Sequence, residues 1–324
     1  MFHHFFLQHK IFLKNEKYGN GSLVKDLYLV DVKISSSNNS LGALFGGCEN
    51  TTIVNVHLNA SRGKLNFLSS TSSASYTQIG GICGWARAAS NLSSCSVSNT
   101  VLVGGNTVGG IVGAHEKSSL SDCYNFGISN QAKEAVVVGT WDLGGLVGYC
   151  CECTISRSGF HQGSILSLQS REAKAGGVVG EANSPKLLSS LFSGVNSVVN
   201  CTNAEKGYCA GIVGFLHNSF AEFPIFVEQV HSEGLVVGAN QIGGLFGVLQ
   251  FSAGGNRTAV ISSSLSQSPI FATNSEANTI GNLIGQVVAS ANSSFSLKMN
   301  NVTFHSNNSF PAIGSQPQNL FTVK

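Results

Sequence analysis

Gly109-Gly110-Ile111-Val112-Gly113 is one of eight copies of a five-residue block in a chain of 324 residues. The others are Gly42-Ala43-Leu44-Phe45-Gly46, Gly80-Gly81-Ile82-Cys83-Gly84, Gly144-Gly145-Leu146-Val147-Gly148, Gly176-Gly177-Val178-Val179-Gly180, Ala210-Gly211-Ile212-Val213-Gly214, Gly243-Gly244-Leu245-Phe246-Gly247 and Gly281-Asn282-Leu283-Ile284-Gly285. Successive blocks start 38, 29, 35, 32, 34, 33 and 38 residues apart. A period of roughly 20–50 residues marks a stacked array rather than two globular domains.

Between the blocks runs a second pattern, three apolar positions spaced i, i+3, i+5. It reads Leu27, Val30, Val32; then Ile53, Val56, Leu58; then Leu92, Cys95, Val97; and it closes with Met299, Val302, Phe304. In the middle units polar residues enter, as at Asn125, Ser158, Ser193, Ser232, Ser264 and Ser266. The step from i+3 to i+5 is strand alternation, and the step of three calls for a bulge or bend. A third apolar run, such as Val101-Leu102-Val103 or Val136-Val137-Val138, precedes the next block.

Three short strands per unit predict an all-β, right-handed parallel β-helix of eight or nine coils of about 34 residues. With strands about 4.8 Å apart the rod is on the order of 40 Å long. A β-propeller is the structural rival, but its blades carry four strands where these units hold three short runs. Residues 1–20 are expected as an N-terminal cap or irregular segment, 21–310 as the repeat domain and 311–324 as a tail. Longer loops are expected at 215–224 and 252–258. The glycines predict close backbone packing, with an outward aliphatic ladder as the alternative.

Only 10% of the residues are charged, which argues against long solvated helices. The net charge of +2 comes without a Lys/Arg cluster, which gives nucleic acid no foothold. No apolar run reaches the ~18 residues of a membrane span, and no signal peptide is read at the start. Nine cysteines make an odd count. Cys201 and Cys209 are spaced to close a loop as a disulfide, and Cys95 and Cys123 read as small buried ladder residues. Cys150-Cys151-Glu152-Cys153 lacks the second Cys-X2-Cys element of a thiolate metal site. Ten Asn-X-Ser/Thr sequons, at Asn20, Asn38, Asn50, Asn59, Asn91, Asn200, Asn256, Asn292, Asn301 and Asn307, are compatible with a secreted glycoprotein.

The Gly-Gly-Leu-Val-Gly core, followed by a polar turn and Leu-Ser-Asp-Cys-Tyr-Asn (Leu120 to Asn125) or Leu-Ser-Ser-Cys-Ser-Val (Leu92 to Val97), resembles the GLUG motif of repetitive surface and adhesin-like proteins. The resemblance spans roughly residues 27–304 and implies a non-catalytic, repetitive extracellular segment.

The expected role is therefore structural, adhesive or surface-binding, outside the cell or at its surface. The partners would be cell-surface glycans, proteins or further copies of the chain. No catalytic, cofactor-binding or metal-binding residue is assigned. The rival is a carbohydrate-active β-helix, a polysaccharide lyase or hydrolase, which needs converging carboxylates. Its candidates are Glu49, Glu116, Glu152 and Glu181, each one to four residues past a block, with Asp26, Asp31, Asp122 and Asp142. Converging carboxylates in a cleft would favour the enzyme, and dispersed ones the binding module. A truncated copy of a larger surface repeat protein is the third reading. His115, His161 and His217 read as surface polar residues near turns.

Overall fold

The computed structural model describes residues 19–72, 76–128, 135–168, 170–220, 224–252, 256–273, 279–289, 294–304 and 310–315. The expected cap therefore falls outside the described residues except for its last two. So do 221–223 and 253–255 of the two longer loops and most of the tail, while 215–218 and 256–258, expected as loop, lie in the strands Val213–Asn218 and Asn256–Ser266. What is described is all-β, without an α-helix, and every strand pairing is parallel. The fold is a parallel β-solenoid.

One coil illustrates all of them. Thr107–Gly109 forms the first wall, and the chain turns at Gly110-Ile111. Val112–Glu116 forms the second wall. Ser119–Ser121, Tyr124–Asn125 and Ala135–Gly139 make the third wall before the chain re-enters the first. Each segment pairs with its counterpart one coil away, as in Val108 with Ile79 and Leu143, and Val112 with Cys83 and Val147. The first wall has eight strands, hence seven complete turns between Leu41 and Ile280. The second wall has ten, running from Gly19–Asn20 to Ile313–Ser315. Paired strands thus reach slightly past residues 21–310 at both ends.

The aliphatic at the centre of each block points inward. Ile111 donates its amide to Leu146 O at 2.8 Å, Leu146 to Val178 O at 3.0 Å and Val178 to Ile212 O at 3.0 Å. Leu44, Ile82, Ile111, Leu146, Val178, Ile212, Leu245 and Leu283 are all buried. The outward-ladder alternative is thereby ruled out. The glycines exist for close approach. A Cβ on Gly109 would lie 2.0 Å from Val112 O, inside the turn itself. A Cβ on Gly145 would lie 2.1 Å from Gly177 O and 2.5 Å from the Phe160 ring on the opposite wall. Ala210 takes the first position of its block, and nothing in the structure explains why that one methyl is accepted.

The step of three has a single cause, a residue in the left-handed region at i+2. Asp26, Asn55, Ser94, Asp122, Arg157, Ser190, Gln229, Ser263 and Asn301 all have φ between 47° and 55°. That conformation is disfavoured for residues with a Cβ, yet it recurs in every coil because the fold needs it there. Pairing corrects the first triplet. Val24, Leu27 and Leu29 align with Ile53, Val56 and Leu58, so the triplet begins three residues before the expected Leu27, Val30, Val32.

The polar residues of the middle triplets also follow from this bend. Ser158 Oγ donates to Ser156 O at 2.7 Å and Ser264 Oγ to Ser262 O at 2.8 Å. Cys95 and Cys123, both buried as expected, place Sγ 3.2 Å from the carbonyls of Ser93 and Ser121. A small donor at i+3 thus satisfies the carbonyl just before the left-handed residue, where the ladder is interrupted. The third position is governed by the glycine opposite. A Cβ on Gly177 would sit 2.3 Å from Ser193 Oγ, and one on Gly244 2.0 Å from Ser266 Oγ.

Two predictions follow for urea unfolding. Gly145→Ala should cost about 1–3 kcal/mol, as overpacking does in a filled core. Ser158→Ala should cost about 1 kcal/mol, the net worth of one buried hydrogen bond, whereas Ser158→Cys should retain most of that stability.

Candidate binding face and polar corner

The outer surface of the third wall carries a column set by register. Tyr28, His57, Ser96, Tyr124, Gly159, Phe192, His231 and Leu265 follow one another, one per coil. Phe126 and His161 stand two residues past Tyr124 and Gly159. Ring centroids lie 6.0 Å apart for Tyr124–Phe126, 4.9 Å for Phe126–His161, 5.6 Å for His161–Phe192 and 5.7 Å for Phe192–His231. Tyr28 and His57 form a separate pair at 5.0 Å. Five rings therefore run continuously along the rod over four coils. Tyr28 and Phe126 are well exposed, the others partly.

This face bears little charge. Desolvation holds His57 and His161 below the usual imidazole range. Arg157 and Asp122, on successive left-handed bends, neutralise each other through a two-pronged contact of 2.8 and 2.7 Å. That hydrogen bonding keeps Asp122 below the usual carboxylate range. Asn55 bonds Asp26 at 2.8 Å and Ser190 bonds Gln229 at 2.9 Å along the same line of bends.

The carboxylates divide. Asp31 is held to about 2, chiefly by its hydrogen bond from Lys64. Glu116 lies 3.8 Å from Arg87 and Glu152 3.5 Å from Lys117. Three others converge where the outer faces of the first and second walls fold towards each other. Lys174 there is ion-paired to Glu181, 3.6 Å from Glu172 and 3.8 Å from Asp142. Glu181 also accepts from, or pairs with, His217 Nε2 at 2.9 Å. Burial alone would raise its acid, but His217 and Lys174 outweigh that and hold it at about 2. The convergence the enzyme reading called for thus occurs, but around a lysine of the protein itself. The side chains of Asp142 and Glu181 are only 12% and 11% exposed, so the corner is filled rather than open. Among the described residues no group of three His, Cys, Asp or Glu is placed to hold a metal ion.

The histidines depart from expectation. His161 belongs to the ring row and His217 to the polar corner. His115 is not at the surface at all. It points into the core, in register with Ala86 and Cys150, fully buried, with neither ring nitrogen hydrogen-bonded. Burial pushes its pKa down to about 4, offset only slightly by the nearby Ser118 backbone, which lies outside hydrogen-bond geometry. The cysteines form two bridges, Cys150–Cys153 and Cys201–Cys209. The second was expected, and the first accounts for the Cys-Cys-Glu-Cys stretch without a metal. Cys48, Cys83, Cys95, Cys123 and Cys151 remain free. Of the sequons, Asn20, Asn50, Asn59 and Asn301 are exposed, Asn38, Asn91 and Asn200 partly so. Asn292, Asn307 and the side chain of Asn256 lie outside what is described.

Comparison with protein-family models, with curated proteins and with solved structures finds no match for this chain. Among the described residues, no helix is long and apolar enough to cross a membrane.

His115 sets an acid limit. Its folded pKa is depressed, so the native state binds fewer protons than the unfolded chain. Its share of stability is present above about pH 6.5 and is lost as pH falls towards 4, up to about 3 kcal/mol. Compared at the same pH across that range, the urea midpoint of the wild type should fall progressively relative to that of His115→Leu as the pH is lowered.

Proposed function

We propose that this chain is a non-catalytic binding module of the cell surface or extracellular space, and that it holds an uncharged glycan strand along the row Tyr124, Phe126, His161, Phe192 and His231. The observation that carries this reading is the row itself. Aromatic faces offer a flat apolar surface with a negative centre, which suits the C–H faces of pyranose rings. The row places its rings 4.9 to 6.0 Å from centroid to centroid along the rod, a spacing that suits a ligand which is itself a linear repeat. The charge-poor surroundings suit a neutral chain better than a sulfated or uronic one.

The setting agrees with this reading. Two disulfides favour an oxidising compartment, and four exposed sequons lie where glycosylation would not disturb the core. The resemblance to GLUG-motif proteins points the same way. A polysaccharide lyase or hydrolase working at the polar corner is the second reading, kept because Asp142, Glu172 and Glu181 do converge there.

A glycan array with the purified chain, followed by titration calorimetry, separates the two. Binding to a neutral oligosaccharide should weaken at least about tenfold in Phe126→Ala and His161→Ala, corresponding to about 1.4 kcal/mol. Equal affinity in both variants would sink the proposal. Release of reducing ends that disappears in Glu181→Gln would install the enzyme reading in its place.

A further inference from the structure

Asp142 is the one member of the polar corner whose hydrogen bonding is incomplete. Its Oδ2 accepts from Thr107 Oγ1 at 3.3 Å. Its Oδ1 is buried and receives no hydrogen bond, because Lys174 Nζ stands 3.8 Å away and is committed to Glu181. The residue is only 8% exposed, which shields this oxygen from bulk solvent. An ionised carboxylate here would leave one oxygen orphaned beside a second buried anion, a costly arrangement. A protonated one has a donor to give, and the neighbouring acceptor is Glu181, whose carboxylate shares Lys174 with Asp142.

We propose that at neutral pH Asp142 is a neutral carboxylic acid that donates its proton to the Glu181 carboxylate, so that the pair holds one proton and one negative charge opposite Lys174. This goes beyond the glycan-binding reading and concerns a different pair of walls. Among the described residues the titratable and charged groups facing the pair come from two walls, and of these Lys174 pulls Asp142 towards ionisation while burial and Glu181 outweigh it. From the first wall come Lys174, with Glu172 on its far side, and Tyr208. From the second wall come Tyr149, Glu181 and His217. Burial keeps the two phenols protonated, so neither adds charge. Desolvation would discharge Lys174, but its contacts with Glu181 and Glu172 keep it cationic. Burial first, and then the Glu181 charge, pushes Asp142 well above the usual carboxylate range, while Glu181 is held at about 2. Two carboxyl groups driven apart in this way are the pattern of a pair with one acid and one base.

The folded pKa of Asp142 is raised. Its contribution to stability is fully present below the unfolded value and is lost as pH rises towards the folded one. Asp142→Asn supplies a permanent donor to Glu181 and has nothing to titrate. Unfolding by urea should therefore become easier in the wild type than in D142N as pH rises from about 5, by about tenfold in the unfolding constant per pH unit until Asp142 ionises. D142N should match or exceed the wild type at neutral pH, whereas Asp142→Ala should not. Carbon-13 chemical shifts of the wild-type side-chain carboxyls give the same answer without a variant: Asp142 should report a protonated carboxyl at pH 7. An ionised Asp142 at pH 7, or a D142N protein as weakened as D142A, would overturn the proposal.

Discussion

Each coil must bring its chain back to the same register one strand spacing along the rod, since its backbone is satisfied only by the coils above and below. All else in the molecule answers to that return. A chain that closes in about 34 residues needs sharp corners, and a corner leaves no room for side chains inside it. The glycine that opens every block but the one at Ala210 lies against a carbonyl three residues later, within the corner. The second glycine lies under the opposite wall. The left-handed residue in each triplet is the third device, a bend that keeps side chains on both sides of it pointing into the core. These three local solutions recur because one global condition is imposed on every turn.

The same condition creates the surfaces. Residues that share a register position become columns, so a modest preference at one position turns into a line along the rod. Inside, the columns are aliphatic, with Cys and Ser where a carbonyl needs a donor. Outside, one column of the third wall collects rings into a continuous stack, while the recess between the first and second walls collects charges that answer one another. Stability and surface pattern are thus drawn from the same geometry on opposite sides of one sheet.

The glycine blocks, the period and the three runs were legible in the sequence because steric exclusion writes glycine and aliphatic residues at fixed places. The first triplet was not, since Leu27 and Val30 also stand three apart and the correct partner, Val24, sits in a partly exposed edge coil. The ring row was hidden by repeat lengths that vary from 29 to 38 residues; Tyr124, His161 and Phe192 become neighbours only when the bends are aligned. Asp142 and Glu181 belong to different walls of successive coils, and no linear spacing announces their meeting. His115 could have been found. Cys48, Ala86, Cys150, Ala182, Leu216, Leu249 and Val287 occupy the same place, six residues past each block start, and all are buried. Histidine in that series belongs to the core.

The central claim is in-register stacking of coils, and distances between bends test it most directly. Spin labels carried on ketone-bearing residues at Asn55 paired with Asp122, Ser190 or Asn301 avoid the native thiols. Separations measured by pulsed electron resonance should grow by about 4.8 Å for each coil between the labels, along one line. Separations that do not rise in proportion to the number of intervening coils would contradict the account.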